Sequence, residues 1–112
     1  MRQDTVDPGI LRQLAEDLAP EDLAEVVRHY VADSAAMLRA LANGRGEVAA
    51  WQRAAHRLAG GAGSVGAVVV EAKARALMDA PLPDDPAVVL ADLVAAVAAS
   101  CARLDALVGT ER

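Results

Sequence analysis

The chain has 112 residues and a formal net charge of −5, with 54% hydrophobic residues, 2% aromatic residues and no Phe. That length fits one domain, read here as a single unit over residues 1–112. A core of Leu, Val and Ala favours close-packed helices over a sandwich. The acidic balance and scattered Arg lack the clustered basic face that nucleic-acid binding needs, which excludes that class.

Asp7-Pro8 is a helix start: the Asp caps free amides and the Pro fits the first helical position. Ile10, Leu11, Leu14 and Leu18 then share one face of a short helix, which Pro20 ends. A second helix is predicted from Pro20 to Ala42, about 30 Å long. Its seam is Leu23, Val26, Val27, Tyr30, Met37, Leu38 and Leu41, with Ser34 filling a gap. Glu21 and Asp22 suit its N-terminal dipole, and Asn43-Gly44 stops it.

A third helix is predicted to start near Gly46 or Glu47. Val48, Trp51, Ala55, Leu58, Ala62 and Val65 are spaced three and four apart, one face that continues through Gly60 and Gly61 and breaks near Ser64 to Gly66. Trp51 is expected as a core anchor. A fourth helix is predicted over Ala67 to Ala80, with Val70, Ala74 and Leu77 inward. Pro81 to Pro86 is a rigid loop in which Asp85 caps and Pro86 opens the last helix. That helix carries Leu90, Leu93, Val94, Val97, Cys101, Leu104 and Val108 at bundle spacing. The fold expected is all-α: an antiparallel, up-down four-helix bundle with a short extra N-terminal helix.

The N-terminus has no apolar signal segment. The stretch Ala87 to Ala102, interrupted by Asp92, is shorter than the roughly 20 residues that span a bilayer. The expectation is a cytoplasmic monomer without a membrane, whose ends read as those of a complete domain. Cys101, the single cysteine, excludes an internal disulfide and reads as a small buried hydrophobe.

The chemistry concentrates in Ala54 to Gly66, AAHRLAGGAGSVG. Each glycine costs a helix roughly 1 kcal/mol relative to alanine, so this density needs a reason. His56 follows Ala55 of the seam by one residue and so stands about 100° away from the core line, at the edge or outside. Gln52, Arg53, Ala59 and Gly60 lie one turn from it, and Gly63 two turns on. This nearly bare backbone beside an imidazole lets another protein approach the ring, and neutral imidazole is a nucleophile near pH 7. His29 lacks such surroundings and reads as an exposed or partly packed histidine. Two histidines alone make no metal site.

The run HRLAGGAGSVGA resembles the signature of histidine phosphotransfer (HPt) domains of bacterial two-component phosphorelays: His, any residue, Leu, Lys, Gly, small residues, then an apolar residue, Gly and Ala. His56, Leu58, Gly60, Ala62, Val65, Gly66 and Ala67 fit it, as does the preceding Ala55. Leu23, Val27, Tyr30, Asp33, Leu38 and Leu41 are similar to the family's second helix. The resemblance runs from about Ile10 to Leu107. It implies that His56 Nε2 takes a phosphoryl group from the phospho-aspartate of a receiver domain, or of a hybrid sensor kinase, and passes it to another receiver. Such a domain binds no ATP and needs no cofactor of its own, since the partner receiver supplies Mg²⁺. It is a phosphotransfer intermediate rather than an autonomous enzyme. Gln52, Ala59, Gly60 and Gly63 would form the docking surface.

Two departures stand out. The family's Lys three residues after the histidine is Ala59 here, and the Gln that some members carry on the following helix falls at Met78. Arg53, one turn before His56, is the first candidate to replace the lost cation. Arg57 points about 100° away, and Arg75 or Lys73 on the fourth helix are others. The lost Lys also supports an alternative: a phosphorylation-deficient module that docks receivers without chemistry. Gly61 to Gly66 spells GxGxxG, with Asp84 and Asp85 about 20 residues on. A dinucleotide site would need a strand before it, and WQRAAHRLA is helical.

Overall fold

The computed structural model describes residues 4–44 and 47–109, and within them the chain forms five helices and no strand. They are α1 (Pro8–Asp17), α2 (Pro20–Asn43), α3 (Val48–Val65), α4 (Val68–Met78) and α5 (Pro86–Gly109). Local chemistry accounts for their ends. Asp7 caps α1 by accepting from the Gly9 N–H at 2.9 Å, and Asp85 accepts from the Val88 N–H at 3.3 Å at the start of α5. Gly44 stops α2 with an ordinary φ of −97°. Of the two residues predicted to open α3, Gly46 lies outside the described residues, and Glu47 is the N-cap without a side-chain bond.

The join between α3 and α4 is only two residues long. Gly66 adopts φ +77°, the one positive φ among the described residues. Its N–H reaches the Gly63 carbonyl at 3.3 Å and the Ala67 N–H reaches Ala62 at 2.8 Å. This pair of bonds is a Schellman closure of α3. The Gly66 carbonyl accepts from Asp7 N–H at 2.8 Å, so the same residue fastens the start of α1. A Cβ on Gly66 would stand 3.0 Å from Ile10 Cβ and 3.1 Å from the Asp7 carbonyl.

Each of α2 to α5 packs against its neighbours in sequence, and α5 closes the ring on α2. The diagonal pairs stay apart, and α1 lies against α2 and α3. That is the expected up-down bundle with its extra helix. Leu23, Tyr30, Leu41, Trp51, Leu58, Val65, Val70, Leu93 and Leu104 anchor the core. A polar tie crosses it. Ser100 Oγ donates to the Val97 carbonyl at 2.7 Å, so its single proton is used. Tyr30 Oη therefore donates to Ser100 Oγ, 2.8 Å away, joining α2 to α5.

Several seam positions differ from expectation. Val48 is 41% exposed and Val94 is 46% exposed. Val48 opens α3, one turn beyond the Gln52–Ala80 contact that marks the end of α4. Leu93, Ala96, Val97, Ser100 and Leu104 are the inner face of α5, and Val94 stands about 100° from Leu93. Cys101 is half-buried rather than buried. The last helix is also longer than the apolar stretch suggests. Within Pro86–Val108 an 18-residue window has a mean hydropathy of 1.9, long and apolar enough to cross a membrane by length and composition alone. Its inner face is nonetheless packed on α2 and α4 as a bundle seam.

Two predictions follow from these contacts. Gly66→Ala forces a Cβ into left-handed backbone and against Ile10, so urea denaturation should show a loss of at least about 1–2 kcal/mol. Burial lifts the Tyr30 phenol above its ordinary 10.0 and the Cys101 thiol above 9.0. The folded state holds these protons more tightly than the unfolded chain does. Their contribution is therefore complete below about pH 9 and is lost as pH rises through the raised folded values. Urea midpoints should fall from about pH 9 upward, and less steeply in a Tyr30→Phe/Cys101→Ala variant.

Candidate functional site

Helix α3 is divided lengthwise. Trp51, Ala54, Ala55, Leu58, Ala59, Ala62 and Val65 are buried, a wider arc than a single seam because α2 covers one flank and α4 the other. His56, Arg53, Gly60 and Ser64 occupy the strip left open. The His56 ring is exposed and has no hydrogen bond or ion pair among the described residues. A Cβ placed on Gly60, one turn on, would meet nothing within 4 Å. Ser64 Oγ donates back to the Gly60 carbonyl at 3.0 Å. The helix therefore stays paired where its surface is bare.

On the α2 flank, Arg57 reaches Asp33 at 2.8 Å. Asp33, His29, Tyr30, Gly60, Gly61 and Ser64 contribute to a recess of about 210 Å³ between α2 and α3. A larger groove, of about 920 Å³, lies between α1, α2 and the end of α5, and no residue of α3 lines it. It is therefore no part of the His56 surface.

On the α4 flank, the Glu71 carboxylate sits against Gly63, where a Cβ would meet Glu71 Oε2 at 2.8 Å. Arg75 donates to that same Oε2 through Nη2 at 2.8 Å and Nε at 3.2 Å. Lys73 turns the other way, to Asp92 of α5 at 2.8 Å. Gln52 Nε2 donates to the Ala80 carbonyl at 2.9 Å.

These contacts correct part of the expected docking surface. Of Gln52, Ala59, Gly60 and Gly63, Gly60 alone is open. Ala59 is 4% exposed and belongs to the core, because α4 lies over that side of α3. Gly63 is covered by Glu71, and Gln52 is a tie to the end of α4. Arg57 is likewise turned from His56 toward α2. Met78, at the position some relatives fill with Gln, packs half-buried on the core. The glycines of the GxGxxG run lie within α3 or cap it, so no strand-to-helix cradle forms. Glu71 and its clamp on Arg75 were not singled out from the sequence. Their i, i+4 spacing was visible, but the Gly63 surface that receives Glu71 belongs to another helix.

Replacing Gly60 by Ala should raise stability by about 0.5–1 kcal/mol in urea denaturation, since it improves helix propensity at a site with free space. The same methyl would narrow the approach to His56. A higher urea midpoint is the expected outcome.

The arrangement presents one exposed imidazole on α3, next to backbone that is open at Gly60. The family model described as Hpt domain matches residues 11–107. The crystal structure of histidine-containing phosphotransfer protein B (HptB) from Pseudomonas aeruginosa PAO1 has the same fold, with a TM-score of 0.89 at 19% identity, covering 99% of this chain and 100% of that one. No curated protein sequence is significantly similar.

Proposed function

The chain belongs to the Hpt domain family, whose work is histidine phosphotransfer within a phosphorelay, and on that footing we propose that His56 is its phosphoryl acceptor and donor. The observation that carries this reading is the exposed, unpartnered His56 ring beside the open backbone of Gly60. Nε2 attacks the phosphorus of a receiver's aspartyl phosphate. The new P–N bond forms as the P–O bond to the aspartate breaks, and the carboxylate departs with the bond's electrons. The Nδ1 proton of the resulting imidazolium exchanges with water. The return step, to a second receiver's aspartate, reverses these bonds.

This chain supplies position: His56 on a helix packed between two neighbours, with no side chain at Gly60 in the way. The partners are receiver domains, free or joined to a hybrid sensor kinase, in the cytoplasm. Mg²⁺ belongs to the receiver's site. The second reading, docking without chemistry, is favoured by Ala59, whose methyl is buried where relatives carry a lysine.

Incubation with several phosphorylated receivers separates the two. Transfer of an acid-labile phosphate to the wild-type chain and none to His56→Ala is the expected result. The thermal midpoint of His56→Ala should stay nearly unchanged, because an exposed side chain away from the core shifts stability by no more than about 0.5 kcal/mol. Docking without label on the wild-type chain establishes the second reading. Label retained on His56→Ala overturns the assignment of the histidine.

A further inference from the structure

A phosphoryl group on His56 brings about two negative charges to a surface where the family's usual cation is a buried methyl. Four arginine or lysine side chains lie on α3 or on the neighbouring α4: Arg53, Arg57, Lys73 and Arg75. Their carboxylate partners sort them by direction. Arg57 is drawn to α2 by Asp33 and Lys73 to α5 by Asp92. Arg75 alone is held on the α3 side of α4, by a carboxylate that itself rests on Gly63.

Register sets its height. Glu71 stands opposite Gly63 and Ala80 opposite Gln52, so α4 runs antiparallel to α3 between two fixed ties. About midway between them, α4 presents Arg75 and α3 presents Arg57 and Leu58. His56 is adjacent to that level. It shares a side of α3 with Gly63, from which it is separated by close to two full turns. Arg75 is thus beside the histidine along the axis and on its side of the helix.

The guanidinium is also only partly used. Nε and one N–H of Nη2 serve Glu71 Oε2. Of its five donors, those of Nη1 and the second on Nη2 remain. These form a fork suited to two phosphoryl oxygens. Arg53 has no ion pair among the described residues, and nothing fixes it toward the ring. A long free side chain must lose rotamer freedom to reach a ligand, and Glu71 has already ordered Arg75.

We propose that Arg75, positioned by Glu71 against Gly63, is the cation that holds the phosphoryl group on His56, reaching from α4 to do what Ala59 cannot do from α3. This rests on the reading of His56 as the phosphoacceptor.

The test loads the full chain with phosphoramidate, a small donor that needs no receiver. Nε2 attacks phosphorus, the P–N bond of phosphoramidate breaks, and ammonia leaves carrying the imidazole proton. The second pKa of the bound phosphoryl group is then read by ³¹P NMR titration, which a merely structural role would not move. With an adjacent guanidinium the dianion is favoured, so Arg75→Ala should raise that pKa by about half a unit to one unit. Arg75→Lys should restore part of it, and Arg53→Ala should leave it in place. Circular dichroism should show all three variants folded, since Arg75 and Arg53 are exposed. Label on His56 with a titration indifferent to Arg75→Ala overturns this inference alone, as does a shift produced by Arg53→Ala instead. A chain that phosphoramidate does not label overturns the phosphoacceptor reading and this one together.

Discussion

The left-handed turn at Gly66 is the constraint on which the rest of the molecule depends. It ends α3 through two backbone hydrogen bonds and reverses the chain within two residues. A reversal that short leaves α4 little freedom to slide along α3. The consequences appear far from the turn: Glu71 meets Gly63, and Gln52 meets Ala80 near the other end of α4. The same residue accepts from Asp7 and sits under Ile10, so the N-terminal helix is set by it as well. No residue with a Cβ adopts this conformation without strain.

Close approach of α4 explains why α3 is rich in Gly and Ala. Ala55, Ala59 and Ala62 are buried with at most 4% exposure, and Gly63 receives a carboxylate directly on its backbone. Larger side chains at these positions would push α4 outward and break its register. The open strip with His56 and Gly60 is the part of the helix that neither neighbour covers. Burial of Ala59 and exposure of His56 are thus two results of one packing angle. The missing lysine is structurally consistent: a charge at that position would have to leave a side of the helix that α4 now occupies.

Electrostatics then decides what each cation near the site is for. Arg57 follows His56 in sequence and Arg75 stands on the neighbouring α4, and Asp33 and Glu71 hold them on opposite flanks of α3. These pairs are partly exposed, and as contributors to stability they are worth little. Their value is directional, since a guanidinium tied at one edge is ordered at the other.

The helices and their caps were legible because they follow from local chemistry: Asp7-Pro8, Pro20 and Asp85-Pro86 mark three starts, and spacings of three and four mark the seams. Tyr30, Trp51, Leu58 and Val65 stood in the core as their periodicity required. The exposure of His56 was legible because it stands one residue off that seam. Only the tertiary structure decided that Val48 and Val94 face outward, that Ser100 completes the tie to Tyr30, and that Ala59 and Gly63 are covered while Gly60 is bare. Periodicity says which residues share a side of a helix. How wide a side is buried depends on how many neighbours pack there and at what register. That register is set by contacts between residues distant in sequence, such as Gln52 with Ala80 and Gly63 with Glu71.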